Sequence, residues 1–349
     1  MNFTSFSGSL NFDIQFVITV ILTLGVILVN GWTDAPNAIA SSVVTRALKP
    51  GVAVIMASIM NFLGVFVTSS VNYEVVKTIY NIADFSSSSQ FARTALAASM
   101  TSIVLWAVAA WVFGIPTSES HALVAGITGA SVALNGNFSG VSPHEWYKVI
   151  FGLLFSAFTG FVSGYLICKS IKKLFENKKR SKANDVFDKF QILASACTSF
   201  LHGAQDGQKF IGIFLLCLSL SGEKIETDFS KVPFALVVIC SLTMALGTAM
   251  GGKKIIKSVG MDMTSLQKYQ GFSADAASTL SLAICTFFGL PVSTTHVKAT
   301  AVMGVGASHR LRSVNWSVAK EMFLAWIFTF PVCFLLSFFV TKVYFIIFF

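Results

Sequence analysis

The sequence is short of charge. Only 12% of its 349 residues are Asp, Glu, Lys or Arg, against about 25% in an ordinary soluble domain. That excludes a disordered chain and a cytosolic enzyme with a polar skin. Paired cysteines are missing as well. Cys168, Cys197, Cys217, Cys240, Cys285 and Cys333 stand singly, in or beside apolar segments. With no C-x-x-C, neither a disulfide framework nor a zinc knuckle is indicated. The first residues, Met1–Asp13, hold no Lys or Arg. A secretory signal opens on a positive region, so the first apolar stretch reads as a retained span. H-E-x-x-H and G-x-S-x-G are absent, which weighs against the main reading of another class, an intramembrane enzyme. A continuous basic face with interleaved aromatics is also absent, so no nucleic acid is expected as partner.

What is abundant is apolar. Hydrophobic residues make up 54% of the chain, with 34 phenylalanines. A membrane-spanning helix needs about 20 mostly apolar residues. The windows Phe16–Val29, Val52–Val71, Leu96–Phe113, Val149–Cys168, Phe234–Met250 and Phe323–Phe349 carry almost no charge. The expected fold is an all-α integral membrane protein, multi-pass in the cell membrane, with the lipid bilayer as its surroundings. The net charge of +9 then reflects basic cytoplasmic loops. Eight basic residues lie between Lys169 and Lys189; placing that segment in the cytoplasm puts 16 of the 25 Lys and Arg on the same side. Both termini then face outside, and each half crosses an odd number of times.

About ten crossings are expected: Asp13–Thr45, Gly51–Val71, Phe91–Phe113, Ile115–Leu134 and Glu145–Lys169, then Phe190–Leu220, Phe234–Met250, Gln270–Phe288, Leu290–Ala307 and Trp316–Tyr344. Asp13–Thr45 and Phe190–Leu220 are too long for one straight helix. Each has glycine and polar residues at its centre, where a break is expected. The fourth crossing of each half opens on Pro and hydroxyls, which leaves spanning and re-entrant readings both open.

The two halves align. Asn30-Gly31-Trp32-Thr33-Asp34 answers His202-Gly203-Ala204-Gln205-Asp206 at an offset of 172. Gly114-Ile115-Pro116-Thr117-Ser118-Glu119-Ser120-His121 answers Gly289-Leu290-Pro291-Val292-Ser293-Thr294-Thr295-His296 at an offset of 175. Between them, Val75–Ile79 resembles Ile255–Val259. Three landmarks in one order mark an internal repeat, and an odd number of crossings turns the second copy upside-down. The expected organisation is a first transmembrane repeat over 1–168, a basic cytoplasmic linker over 169–189 and an inverted second repeat over 190–349. Inverted-topology repeats with broken or re-entrant helices near the midplane characterise secondary transporters.

Gly31-Trp32-Thr33-Asp34-Ala35-Pro36-Asn37-Ala38, paired with His202-Gly203-Ala204-Gln205-Asp206-Gly207-Gln208-Lys209, resembles the twin signature of the PiT family of inorganic phosphate transporters. Pro291-Val292-Ser293-Thr294-Thr295-His296 fits the same family, as does Leu246-Gly247-Thr248 before Gly251-Gly252. The resemblance runs from about Asn30 to about Gly306. It implies a symporter that brings in inorganic phosphate by alternating access, coupled to protons or sodium. A divalent metal–phosphate complex is an alternative form of the substrate. A similar branch of the family moves sulfate, which keeps a sulfate permease as the alternative. No cofactor is implied, and a homodimer is an admissible assembly.

A tetrahedral dianion leaving water needs several donors and nearby positive charge. Helix N-termini supply part of both. Thr117, Ser118 and Ser120, with Ser293, Thr294 and Thr295, are read as hydroxyl-rich helix starts facing the anion. The competing role is N-capping; two symmetric copies favour the ligand role. Asp34 and Asp206 are acids in apolar surroundings, functional candidates by default, assigned to the coupling cation together with Asn37. Asn37 is also a candidate amide donor to the anion.

The sodium-coupled pattern has Asn in both halves, whereas Lys209 stands opposite Asn37. Lys209 shares a helical face with Asp206. Its ammonium is expected to bind the phosphate and to replace one bound cation, or else to form a plain structural salt bridge. Asp275 and Glu119 complete the cation or proton candidates. The symmetric His121 and His296 leave a ligand role and a capping role both open; His202 is read as packing, and Lys298 as reaching an interface.

Overall fold

The computed structural model describes residues 14–85, 89–115, 117–178, 180–221, 232–250 and 266–349. Expectations resting on Met1–Asp13, Pro116, Gly251-Gly252, Ile255–Val259 and the lysines 179, 224, 231, 253, 254 and 257 lie outside the described residues.

Twelve α-helices, and no β-strand, occur among the described residues. In the first half these are α1 (Ile14–Thr33), α2 (Pro36–Val44), α3 (Pro50–Thr68), α4 (Glu74–Tyr80), α5 (Ser89–Phe113), α6 (Glu119–Asn135) and α7 (Pro143–Phe175). In the second they are α8 (Arg180–Leu220), α9 (Phe234–Met250), α10 (Lys268–Phe287), α11 (Thr294–His309) and α12 (Trp316–Phe348). Every expected crossing falls on one of these helices, or on α1 and α2 together.

Five segments are long and apolar enough to cross a membrane: Ile14–Val44, Pro50–Thr68, Gln90–Phe113, Pro143–Phe175 and Trp316–Phe348. Helix α9 is apolar but short, and α6 and α11 are wrapped by neighbours. From Glu119 to Ala133 and from Thr294 to Ala307 every side chain is buried. A helix surrounded by protein can carry polar groups that lipid would exclude.

Packing repeats when the halves are exchanged. Helix α6 lies against α12, and α11 against α7; α1 meets α5, and α8 meets α10; α1 meets α9, and α8 meets α3. The turns before α6 and α11 match too. Gly114 and Gly289 both have positive φ, 69° and 66°, a conformation that costs little only for glycine.

One local expectation is corrected. The first long crossing is broken, at Asp34-Ala35, but the second is not: α8 runs unbroken for 41 residues. The cause is one residue. Pro36 lacks the N–H that would continue α1 and clashes with the preceding turn, so it starts α2 instead. Gln208 stands at the mirrored position and continues the ladder. Within the expected linker 169–189 the chain is mostly helical: α7 runs to Phe175 and α8 starts at Arg180. It has no Gly or Pro and is rich in Lys, a good helix former.

Candidate transport site

The break at Asp34 turns the end of α1 and the start of α2 toward the N-termini of α6 and α11. Asp34 and Asn37 are 4% and 2% exposed. Asn37 Nδ2 donates to Thr295 Oγ1 at 2.9 Å. The Asp34 carboxyl lies beside the Thr295 hydroxyl and the backbone N–H of Glu119. The Glu119 carboxyl sits beside the Thr33 hydroxyl.

Helix α8 enters from the other side. Lys209 Nζ donates to Asp206 Oδ1 at 2.7 Å, to Ser120 Oγ at 2.6 Å and to the Val292 carbonyl at 2.6 Å. An ammonium has three protons, and all three are committed. The second oxygen of Asp206 faces Asn30 Nδ2 at 3.2 Å and His202 Nε2 at 3.3 Å.

The two sets of contacts mirror each other. Lys209 answers Asn37, and Ser120 answers Thr295, so Lys209–Ser120 and Asn37–Thr295 are the same contact made once by each half. Asp34, Asn37, Glu119, Ser120, Thr295, Asp206 and Lys209 are thus brought together.

Ser118 and Ser293 act as N-caps. Ser118 Oγ accepts from the His121 N–H at 3.4 Å, and Ser293 Oγ from the His296 N–H at 3.3 Å. Each hydroxyl proton remains able to donate. Thr117 and Thr294 are buried beside these caps. Among the described residues Thr294 Oγ1 meets no partner, nor do Asp34 Oδ2, Asn37 Oδ1 and Glu119 Oε2. Buried polar atoms are normally satisfied, so this concentration of unpaired oxygens marks a place built to hold something else.

Asp275 lies apart from this set. It pairs with Lys298, which is 1% exposed and reaches no interface. The expectation for Lys298 is therefore corrected: its ammonium is held inside by a carboxylate.

Sequence reasoning also undervalued His202 and Asn30. Both converge on Asp206, and their mirrored places in the repeat, 30 and 202, were the signal. His202 Nδ1 further meets Asn61 Oδ1 at 3.0 Å. His121 and His296 pack edge to face, centroids 4.4 Å apart, against Phe330 and Trp326.

A cavity of about 490 Å³ beside Ala125, Thr128, Trp146, Phe330 and Phe334 is almost wholly apolar. It offers a dianion nothing, so the polar convergence, and not this cavity, is the candidate site.

Buried acids, amides and hydroxyls drawn from both halves of a helical, multi-pass membrane protein make up a transporter rather than an enzyme. The profile of the phosphate transporter family matches residues 30–337. The chain belongs to that family.

Among its relatives, the "Probable low-affinity inorganic phosphate transporter" of Bacillus subtilis is 36% identical over 323 residues, covering 92% of this chain and 95% of the relative. The Rhizobium meliloti protein of the same name is 34% identical over 313 residues, covering 88% and 90%. A solved structure described as "The sodium-dependent phosphate transporter" superposes with a TM-score of 0.83 at 22% identity, covering 94% of this chain and 98% of the other. That likeness establishes the shared fold.

Proposed function

We propose that the chain is a symporter that carries inorganic phosphate inward by alternating access, coupled to protons or a cation. The observation that carries this reading is the mirrored pair of contacts, Lys209–Ser120 and Asn37–Thr295, closing on Asp34, Glu119 and Asp206. In this reading the hydroxyls of Thr117, Ser118, Ser120, Ser293, Thr294 and Thr295, with the Asn37 amide, donate to the anion. Asp34, Asn37 and Asp206 hold the coupling cation, and Glu119 supplies a further carboxyl.

Lys209 acts as a resident cation. Its three protons are already bonded, which favours a counter-charge for Asp206 over a direct phosphate ligand. The second half then needs no second sodium ion.

The halves 1–168 and 190–349 act as inverted repeats that rock against each other, with the 169–189 segment on the cytoplasmic side. Support comes from the exchange symmetry of the helix packing and from the distribution of basic residues. Rocking of one repeat against the other around a fixed midplane site is how such architectures move their cargo.

Proteoliposomes given labelled phosphate under separate inward Na⁺ and H⁺ gradients, with sulfate as competitor, test the reading. Gradient-driven accumulation of phosphate is expected. Flux indifferent to collapse of both gradients would indicate a passive channel instead.

A further inference from the structure

We propose that Lys298, Ser41 and Asp275 form a second anion station, one helical turn beyond the central site, taking a tetrahedral oxyanion such as phosphate together with its coupling cation. The proposal rests on the transport reading above and adds a site to it.

Position comes first. On α2, Asn37, Ser41 and Thr45 follow one another at intervals of four and share a face. On α11, Thr295 and Lys298 are three apart and do the same. The Asn37–Thr295 contact at 2.9 Å is thus followed by Lys298 Nζ to Ser41 Oγ, also at 2.9 Å. One helical turn, about 5.4 Å, separates the two.

The chemistry is that of an anion site. Lys209 meets three acceptors, but Lys298 meets only two among the described residues, Ser41 Oγ and Asp275 Oδ1. One ammonium proton is left over in a side chain 1% exposed. Gln191 is fully buried beside the Asp275 carboxyl. Its Oε1 accepts from Thr45 at 2.9 Å, while its Nε2 donates to nothing among the described residues. The Ser41 hydroxyl already donates to Asp275 Oδ1 at 2.5 Å, so the donors left for a dianion are the third ammonium proton of Lys298 and Gln191 Nε2.

Asp275 Oδ2 also lacks a partner. When the anion takes Lys298, the coupling cation takes Asp275, so neither charge is left bare. The Lys298–Asp275 contact opens, and each charge gains a mobile partner of opposite sign.

Stability does not account for the pair. The mirrored positions of Ser41, Lys298 and Asp275 are Ile213, Leu123 and Met100. All three are buried in one apolar cluster. The same architecture therefore packs there without ions, and apolar replacement of a buried ion pair is commonly neutral or stabilising.

The station also lies on a route. From Ser41 the polar groups continue through Thr45 and Gln191 to the Asp188–Lys268 pair, whose side chains are 28% and 31% exposed.

The test uses the full chain in proteoliposomes. The double variant Asp275→Met/Lys298→Leu copies the apolar half. It is expected to keep its melting temperature and its thermal shift with inorganic phosphate, which report the fold and the central site. Its uptake is expected to fall by at least about tenfold, the equivalent of one charged hydrogen bond.

Ser41→Cys, labelled by a small methanethiosulfonate, reads the station directly. Phosphate is expected to slow labelling, and the double variant to abolish that protection. Wild-type uptake in the double variant, unchanged protection, or a Ser41→Cys that is never labelled overturns the station. Should the double variant not fold, Gln191→Leu carries the test: protection of Ser41→Cys is expected to weaken, and full protection overturns the proposal. Wild-type protein that takes up no phosphate sinks the transport reading itself, whereas an active wild type with an equally active double variant sinks the station alone.

Discussion

Lys209 Nζ lies 2.6 Å from Ser120 Oγ, at the place where the mirrored half puts the Asn37 amide 2.9 Å from Thr295 Oγ1. One half closes this contact with a charge and the other with a neutral amide. The site is therefore symmetric in shape and asymmetric in charge. In the proposed transport cycle a dianion and its cation would meet one built-in ammonium, which would set how many mobile cations balance the site.

Lys209→Asn makes the second half a copy of the first. It removes a partner from the buried Asp206 and leaves it with Asn30 and His202. Breaking a buried pair from one side costs about 3–5 kcal/mol. The variant is expected to melt lower in sodium-free buffer, to recover with added sodium, and to take up phosphate only when sodium is present. Wild-type uptake that collapses without sodium, despite an inward proton gradient, would contradict the role given to Lys209.

Gly114 and Gly289 turn the chain into α6 and α11 with the same positive φ, but their surroundings differ. A Cβ on Gly114 would meet open space, whereas one on Gly289 would run into Glu74. A left-handed conformation costs an L residue about 1–2 kcal/mol. Gly114→Ala is expected to lose about that much, and Gly289→Ala distinctly more. Thermal melts of the two variants side by side check the order.

Much of this arrangement was legible because it is written twice. The repeat of Asn30–Asp34 in His202–Asp206, and of the Pro–hydroxyl motif, located the site and its symmetry. Apolar length found the lipid-facing helices. What stayed hidden depended on neighbours distant in the chain. Lys298 sits on a helix that sequence alone places in lipid, so an interface was the natural reading. Only the packing of α10 and α2 on α11 brings Asp275 and Ser41 to it. The unbroken α8 was hidden for another reason: glycine permits a break but does not force one, whereas proline does.

Glu119 stands where the mirrored half has Thr294. Its backbone N–H lies beside the Asp34 carboxyl, and both Glu119 Oε2 and Asp34 Oδ2 lack partners among the described residues. Two neighbouring buried acids call for a positive partner. Glu119→Gln keeps the shape and removes that demand. Gradient-driven accumulation is expected to fall at least about tenfold, a change of about 1.4 kcal/mol, while phosphate-for-phosphate exchange persists. Counterflow measured beside net uptake separates the two. Loss of both together would make Glu119 a structural group.

Pro36 is the residue that makes the two halves of the site differ in backbone. It ends α1 at Thr33 and lets Asp34 face the start of α6. Pro36→Gln installs the mirrored residue of α8 and restores the missing backbone donor. Helix is then expected to run from Ile14 through Val44 without interruption, as it does through Asp206. That rotates Asp34 away from Glu119 and Asn37 away from Thr295. With the missing backbone donor restored, the variant is expected to melt no lower than the parent and to bind and transport far less phosphate. The reverse change, Gln208→Pro, removes a bond from a continuous helix and is expected to lower the melting temperature sharply. A Pro36→Gln protein that transports normally would show that the break, and the reach it gives Asp34, is dispensable.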